Sequence, residues 1–273
     1  MVTQEQRRRQ LAREKFLRQQ QRRTAARRKS HTRNTVIASV LGVVVVGGVV
    51  SYATGVFKND DKKANAGAEV TPSASPTSKA PDPCNKPAEG AVKSLSWKKE
   101  PAMTIDKSAD YTMKMATTCG DVDIALNAAA APHTVNSFGF LADKGFFDHT
   151  KCHRLTTNGI YVLQCGDPKG TGSGGPGYTI PDENLKDKSL KGGVYPAGTV
   201  AMANTGQKHT GGSQFFLVYQ DSQLPPSYTP FGTISKSGLT VLKKIAAAGE
   251  STGQGDGAPN ATVVVNKMTV TKS

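Results

Sequence analysis

Arg154, Gln164, Asn204 and Gln214 are side chains able to hold a polar group by hydrogen bonding. A guanidinium is planar and permanently charged, and a side-chain amide both donates and accepts hydrogen bonds. By residue type alone each also has a plainer role: an arginine at a strand end pairs with a carboxylate, and Asn or Gln caps a turn or a sheet edge. Gln214 and Phe216 share parity along one expected strand, so both can face the same side of a sheet. Phe216 alone reads equally well as core. The glycine run Gly170-Thr171-Gly172-Ser173-Gly174-Gly175 lacks the Lys-Ser/Thr ending of a phosphate loop, which argues against nucleotide binding. His133, His149, His153 and His209 show neither an i, i+4 pair nor a Cys/His cluster, so they read as structural or surface residues and no metal is expected. Cys84, Cys119, Cys152 and Cys165 lack C-x-x-C spacing. They allow one or two disulfides, and the three complete pairings stay open.

The elements that must position these groups begin at Tyr111. Tyr111, Met113 and Met115 alternate with polar residues, Thr118-Cys119-Gly120-Asp121 is a turn, and Val122, Ile124 and Leu126 alternate again. That pattern predicts a hairpin. Pro132 suits the first turn of a helix, which Val135, Phe138, Leu141 and Ala142 continue until Gly145 stops it. Short strands are expected over 152–155, 161–165, 199–203 and 214–218, a second helix over 239–247 and a closing strand over 262–271. Many short strands with two helices imply a mainly β fold: an antiparallel sheet closed into a barrel and capped by the helices.

Charge is segregated along the chain. The 273 residues carry 35 Lys and Arg against 21 Asp and Glu, a formal +14, yet twelve of the cations lie in residues 1–34 beside only Glu5 and Glu14. A folded nucleic-acid footprint would spread the charge over a domain, so no nucleic-acid partner is expected. Residues 35–57 are uncharged and rich in Val and Gly, long enough for a membrane-spanning helix. The basic tail before them puts the N-terminus in the cytoplasm and the remainder outside. Ser51-Tyr52-Ala53 would serve as a cleavage site in the competing signal-peptide reading, but a 34-residue basic prefix is long for one. From Ala64 to Pro87 the composition turns to Ala, Ser, Thr, Pro and Lys, a disordered spacer. The expected organisation is a basic tail (1–34), a transmembrane anchor (35–57), a linker and approach containing Trp97 (58–108), and one domain (109–273). Outside the cytoplasm disulfides persist, which suits the cysteines.

Four segments resemble the cyclophilins, the peptidyl-prolyl cis-trans isomerases. They are Ala131-Pro132-His133-Thr134-Val135-Asn136-Ser137-Phe138; His153-Arg154-Leu155 with Gln164-Cys165-Gly166-Asp167-Pro168; Ala201-Met202-Ala203-Asn204; and Gly212-Ser213-Gln214-Phe215-Phe216 with Phe231-Gly232-Thr233. Their order and near-family spacing cover about residues 109–273, and the layout with tail and anchor resembles the membrane-anchored actinobacterial members. The resemblance implies an eight-stranded barrel and X-Pro isomerisation during folding of exported proteins, with no cofactor and with proline-containing polypeptides as partners. It implies Arg154, Gln164 and Phe216 as catalytic residues, Arg154 facing the prolyl nitrogen and Phe216 flooring the proline pocket. Val162, Leu224 and Tyr228 would complete that pocket, with Tyr161 at its side. Gly172, Ala203, Asn204, Thr205 and Gln214 would hold the chain on the N-terminal side of the proline, Gln214 also supporting the arginine. The alternative is a proline-peptide binding module or chaperone with little turnover.

Departures from the family pattern bear on the site. Two additional residues stand between Arg154 and Gln164 and one between Asn204 and Gln214. Tyr228 replaces the usual His, Val162 the usual Met, and Gln223 the Trp of cyclosporin-sensitive members. Loss of that indole predicts weak cyclosporin binding.

Overall fold

The computed structural model describes residues 81–272. The basic tail, the apolar stretch at 35–57 and most of the spacer lie outside the described residues; within them, no helix is long and apolar enough to cross a membrane. Strands β1 (Tyr111–Thr117) and β2 (Gly120–Leu126) form the expected hairpin, with Tyr111, Met113 and Met115 buried on β1 and Val122, Ile124 and Leu126 on β2. Tyr111 pairs with Leu126 and Thr117 with Gly120, leaving Thr118 and Cys119 as the two-residue loop.

Helix α1 (Pro132–Asp143) begins at Pro132, whose missing N–H costs nothing in a first turn. The next two amides, of His133 and Thr134, donate to the Glu183 carboxylate at 3.0 and 2.9 Å, which satisfies orphan donors with a charge suited to a helix N-terminus. At the other end Gly145, with φ 66°, lets its own N–H return to Ala142 and that of Phe146 to Leu141, the paired bonds of a Schellman cap. Phe138 on the buried face meets Phe147, Phe215 and Phe231 at centroid distances of 5.2, 5.4 and 4.7 Å. Helix α2 (Lys236–Ala247) starts three residues before the expected Leu239, because Ser235 caps it by accepting from the Gly238 N–H at 3.1 Å.

The remaining strands are β3 (Thr150–Lys151), β4 (Arg154–Thr156), β5 (Val162–Cys165), β6 (Val194–Tyr195), β7 (Thr199–Met202), β8 (Phe215–Val218), β9 (Ser222–Gln223), β10 (Pro230–Ile234), β11 (Asp256–Gly257) and β12 (Val264–Lys272). Ten of them hydrogen-bond in the order β11-β4-β5-β8-β7-β10-β2-β1-β12-β3, all antiparallel, with β6 and β9 as a separate pair. The expected closed eight-stranded barrel is therefore corrected to a curled antiparallel sheet with β11 and β3 at its two margins. The strand expected at 152–155 is realised only from Arg154, where β4 joins β5; Cys152 and His153 instead span between β4 and β3, which joins β12, and donate to the Val263 and Gln164 carbonyls. Two residues of chain thus join the β3 margin to β4, the neighbour of β11 at the other margin. β10 was not foreseen as a strand, since Pro230 and Gly232 break its pattern; it fits between β7 and β2 because a Cβ at Gly232 would press on Ile124 and the Ala125 carbonyl.

Residues 81–110 contain no helix or strand, yet they are fastened to the sheet. Cys84 is bonded to Cys119 of the hairpin loop, and Asn85 donates to the Thr118 carbonyl at 2.8 Å. Trp97 sits 5.0 Å from the Phe140 ring and 6.1 Å from that of Phe146. The second disulfide joins Cys152 to Cys165, and no described cysteine is free.

Two apolar clusters fill the interior. The larger lies between the sheet and the helices; the smaller, made of Val162, Tyr195, Ala201, Phe216 and Val218, lies on the sheet's other face. On β8 every residue is buried, because Phe215 and Leu217 face the first cluster while Phe216 and Val218 face the second.

Candidate active site

Strand register sets four residues in a row across the sheet: Arg154 opposite Gln164, Gln164 opposite Phe216, and Phe216 opposite Ala201. Directly opposed residues point to one face, so the guanidinium, the amide and the aromatic ring share a surface. The two additional residues between Arg154 and Gln164 do not disturb this, because the chain absorbs them in a turn where Asn158 pairs with Ile160 and Gly159 takes φ 76°.

Arg154 is fixed on two sides. Its Nε and Nη2 donate to the two carboxylate oxygens of Asp256 at 2.7 Å each, and Nη1 donates to Gln164 Oε1 at 3.2 Å. Gln164 Nε2 donates in turn to Gln214 Oε1 at 2.9 Å, and Gln214 Nε2 donates to the Gly174 carbonyl at 2.9 Å. A continuous chain of hydrogen bonds thus links β11 to the glycine loop. Hydrogen bonding to the Asp256 carboxylate pushes the Arg154 pKa still higher, so its charge is constant at any working pH. Three of the five guanidinium hydrogens serve these bonds, which leaves two for a ligand.

Beside the guanidinium lies a cup of about 100 Å³, lined by Arg154, Gln164, Ile160, Val162, Phe216, Leu224 and Tyr228, with Ala203 and Asn204 at its edge. Phe216 meets the Tyr228 ring edge-on at 5.3 Å, and Tyr195 stands behind both. Tyr195 donates to the Tyr228 carbonyl at 2.8 Å, which fixes the loop that carries the cup's outer wall. An apolar cup with few polar groups suits a small rigid ring.

The cup opens into a groove of about 1020 Å³ that shares Gln164, Ala203 and Asn204 with it. Gly172, Thr205 and Gln214 line this groove. Its glycine loop is organised by Asp167, a fully buried carboxylate that accepts from the backbone N–H groups of Lys169, Thr171, Gly172 and Ser173 at 2.6–3.1 Å. Burial would raise the Asp167 pKa, but these backbone donors outweigh it and hold the carboxyl below the usual range. Under the same loop, both ring nitrogens of His153 are buried without a hydrogen-bond partner, and burial pushes its pKa down.

One expected residue lies outside the cup, and another borders it with its side-chain amide already engaged. Tyr161 does not line the cup; its ring packs at 5.9 Å on Tyr219 against the larger cluster, and Ile160 takes the place beside Val162. The Asn204 side chain is turned into the loop, donating to the Ser227 carbonyl at 2.8 Å and accepting from the Gly206 N–H at 2.9 Å, so it shapes the wall as a turn residue does. Gln223 lies outside the cup, with its amide donating to the Gly192 carbonyl at 2.8 Å. No local sequence pattern points to Asp256, which stands on a two-residue strand. The four histidines take local roles: His133 bonds Glu100 at 2.6 Å, His209 accepts from the Asp182 N–H, and His149 and His153 are half-buried.

A curled antiparallel sheet with two helices, carrying an arginine-glutamine row beside an apolar cup, agrees with the family comparison. A family model described as cyclophilin type peptidyl-prolyl cis-trans isomerase/CLD matches residues 112–270, and the chain belongs to that family. Among curated relatives, the probable peptidyl-prolyl cis-trans isomerase B of Mycobacterium leprae is 52% identical over 168 residues, covering 59% of this chain and 57% of that protein. Peptidyl-prolyl cis-trans isomerase B of Bacillus subtilis is 40% identical over 126 residues, covering 46% of this chain and 82% of that protein. A crystal structure of a cyclophilin type peptidyl-prolyl cis-trans isomerase from Cryptosporidium parvum aligns with 60% of this chain and 99% of its own at 23% identity, with a TM-score of 0.49. The chain spans just over half the length of the mycobacterial relatives.

Proposed function

We propose that this protein is a peptidyl-prolyl cis-trans isomerase that stabilises the twisted X-Pro amide through Arg154. Rotation about a peptide bond meets a barrier of about 18–20 kcal/mol, because the nitrogen lone pair is delocalised into the carbonyl. At X-Pro the isomers differ by only about 0.5–1 kcal/mol, so lowering the barrier needs no covalent intermediate and no cofactor. A group that binds the twisted amide better than either planar form is sufficient. As the bond twists, the lone pair localises on the prolyl nitrogen and becomes an acceptor that the planar amide lacks. The observation that carries the reading is a guanidinium held by Asp256 and Gln164 with two N–H groups free, at the mouth of a cup sized for a proline ring. Phe216 would floor the ring, and the fixed guanidinium pays no reorganisation during the twist. The test is the isomerisation rate of an Xaa-Pro peptide with the full-length protein and its Arg154→Ala variant. Loss of at least about 100-fold in kcat is expected. Proline-peptide binding without rate enhancement would instead favour the binding-module reading.

The same reading places the domain on the outer side of the cell membrane, anchored by residues 35–57 with the N-terminus in the cytoplasm, where it would act on exported proteins. Three features support this: the uncharged 23-residue stretch, the basic residues before it, and two disulfides in a domain whose described cysteines are all paired. Added protease should remove the domain from intact spheroplasts while an epitope in residues 1–34 stays protected.

A further inference from the structure

The groove beside the cup has a wall from outside the residues that the family model matches. Ser96, Lys98, Lys99 and Glu100 line it, whereas the matched span begins at residue 112. This wall is built into the domain. The Trp97 N–H donates to the Pro176 carbonyl at 2.8 Å, directly after the glycine loop, and the Trp97 ring is seated on Phe140 and Phe146. Gly177, at φ 88°, lies so close to Ser96 and to the Trp97 backbone that a Cβ has no room, which locks the two segments together.

The charged residues lining the groove are Lys98, Lys99, Lys169 and Glu100. Glu100 is engaged by His133 at 2.6 Å, whereas among the described residues the three lysines form no ion pair. Both Lys98 and Lys99 are exposed, so their charges reach an approaching chain. Because Gln164, Ala203 and Asn204 border both cavities, a polypeptide with its proline in the cup can lay its neighbouring residues along this cationic wall.

We infer that Lys98 and Lys99, together with Lys169, select X-Pro segments carrying acidic residues on the N-terminal side of the proline. The inference rests on the isomerase reading and names the substrate class of the same site. Like charge on the wall disfavours basic segments as it favours acidic ones, so discrimination comes from both signs.

The experiment measures kcat/KM of the full-length protein on three peptides with one Ala-Pro core, bearing Glu-Glu, Gln-Gln or Lys-Lys at the second and third residues before the proline. The acidic peptide should exceed the neutral one by about fivefold at low salt, and the ratio should shrink toward one in 0.5 M salt. Lys98→Ala with Lys99→Ala should bring the ratio near one, and Lys98→Glu with Lys99→Glu should invert it toward the basic peptide. Equal rates on all three peptides would overturn the selectivity while leaving the isomerase reading intact, as would a ratio unmoved by the substitutions. Absence of turnover on every peptide would overturn both. A preference for acid placed after the proline would show that the lysines act on the other flank, against this assignment.

Discussion

Asp256 holds the guanidinium of Arg154 at two points, Nε and Nη2, each 2.7 Å from a carboxylate oxygen, from the strand next to the one that carries the arginine. The pair lies at the surface, with the arginine side chain 38% and the aspartate side chain 55% exposed, so its worth is in aim more than in stability. Asp256→Ala should leave the fold intact and lower kcat by about two- to fivefold with little change in KM. Asp256→Asn, which keeps one acceptor, should fall between. Arg154→Lys should not restore activity, since an ammonium cannot fill both positions of the fork. An unchanged kcat in Asp256→Ala would show that Gln164 alone orients the guanidinium.

The relation between these two residues also marks where the sequence stops being legible. Arg154, Gln164 and Phe216 stand in short strings, and the strand register sets these three in one row, whereas Gln214 precedes β8 and joins them through its hydrogen bond from Gln164. Asp256 lies 102 residues from its partner on a two-residue strand, too short for any periodicity. Ile160 was within reach: it shares parity with Val162 and Gln164, while Tyr161 has the opposite parity and turns toward Tyr219. The divided strand around Cys152 and His153 was not readable, because nothing in the local pattern tells one strand from two short ones facing different partners. Residues 81–110 show only their composition in sequence; what fixes them is a disulfide and a tryptophan seated on phenylalanines of another element.

Gln223 bears on inhibitor binding. It sits exposed on β9 with its amide tied to the Gly192 carbonyl, beside a shallow hollow of about 510 Å³ formed with Gly193, Leu224 and Pro225. Where an indole would supply a flat apolar face and an N–H donor, this chain offers an amide already engaged. Cyclosporin should therefore inhibit the protein only weakly, above micromolar concentration. Gln223→Trp should tighten binding by about tenfold, the worth of one aromatic contact and one hydrogen bond. Isothermal titration of both proteins decides this; sub-micromolar affinity of the unsubstituted protein would be incompatible with it.

Asp167 makes the groove sensitive to acid. Its carboxylate gathers the N–H groups of the glycine loop, and Gly174 lies so close to it that no side chain fits there. The folded pKa lies below the unfolded one, so the stabilisation is complete above the ordinary carboxylate pKa of about 3.9 and is lost as pH falls through the depressed native value. His153, next to the loop, acts in the same sense: its lowered folded pKa means that below about pH 6.5 the unfolded chain takes up a proton that the buried imidazole resists. Acidification should weaken the domain gradually from about pH 6.5, then loosen the 170–175 loop below about pH 4. At neutral pH, Asp167→Asn should cost about 1.5–3 kcal/mol, because an amide turns donors toward donors. It should also raise KM more than it lowers kcat, since the loop walls the groove and does not touch Arg154. Amide hydrogen exchange of Gly172 and Ser173 across pH 3–7, with thermal melting of the variant, checks both effects. Protection that stays flat through the acid range would mean that the loop is held by something other than this carboxylate.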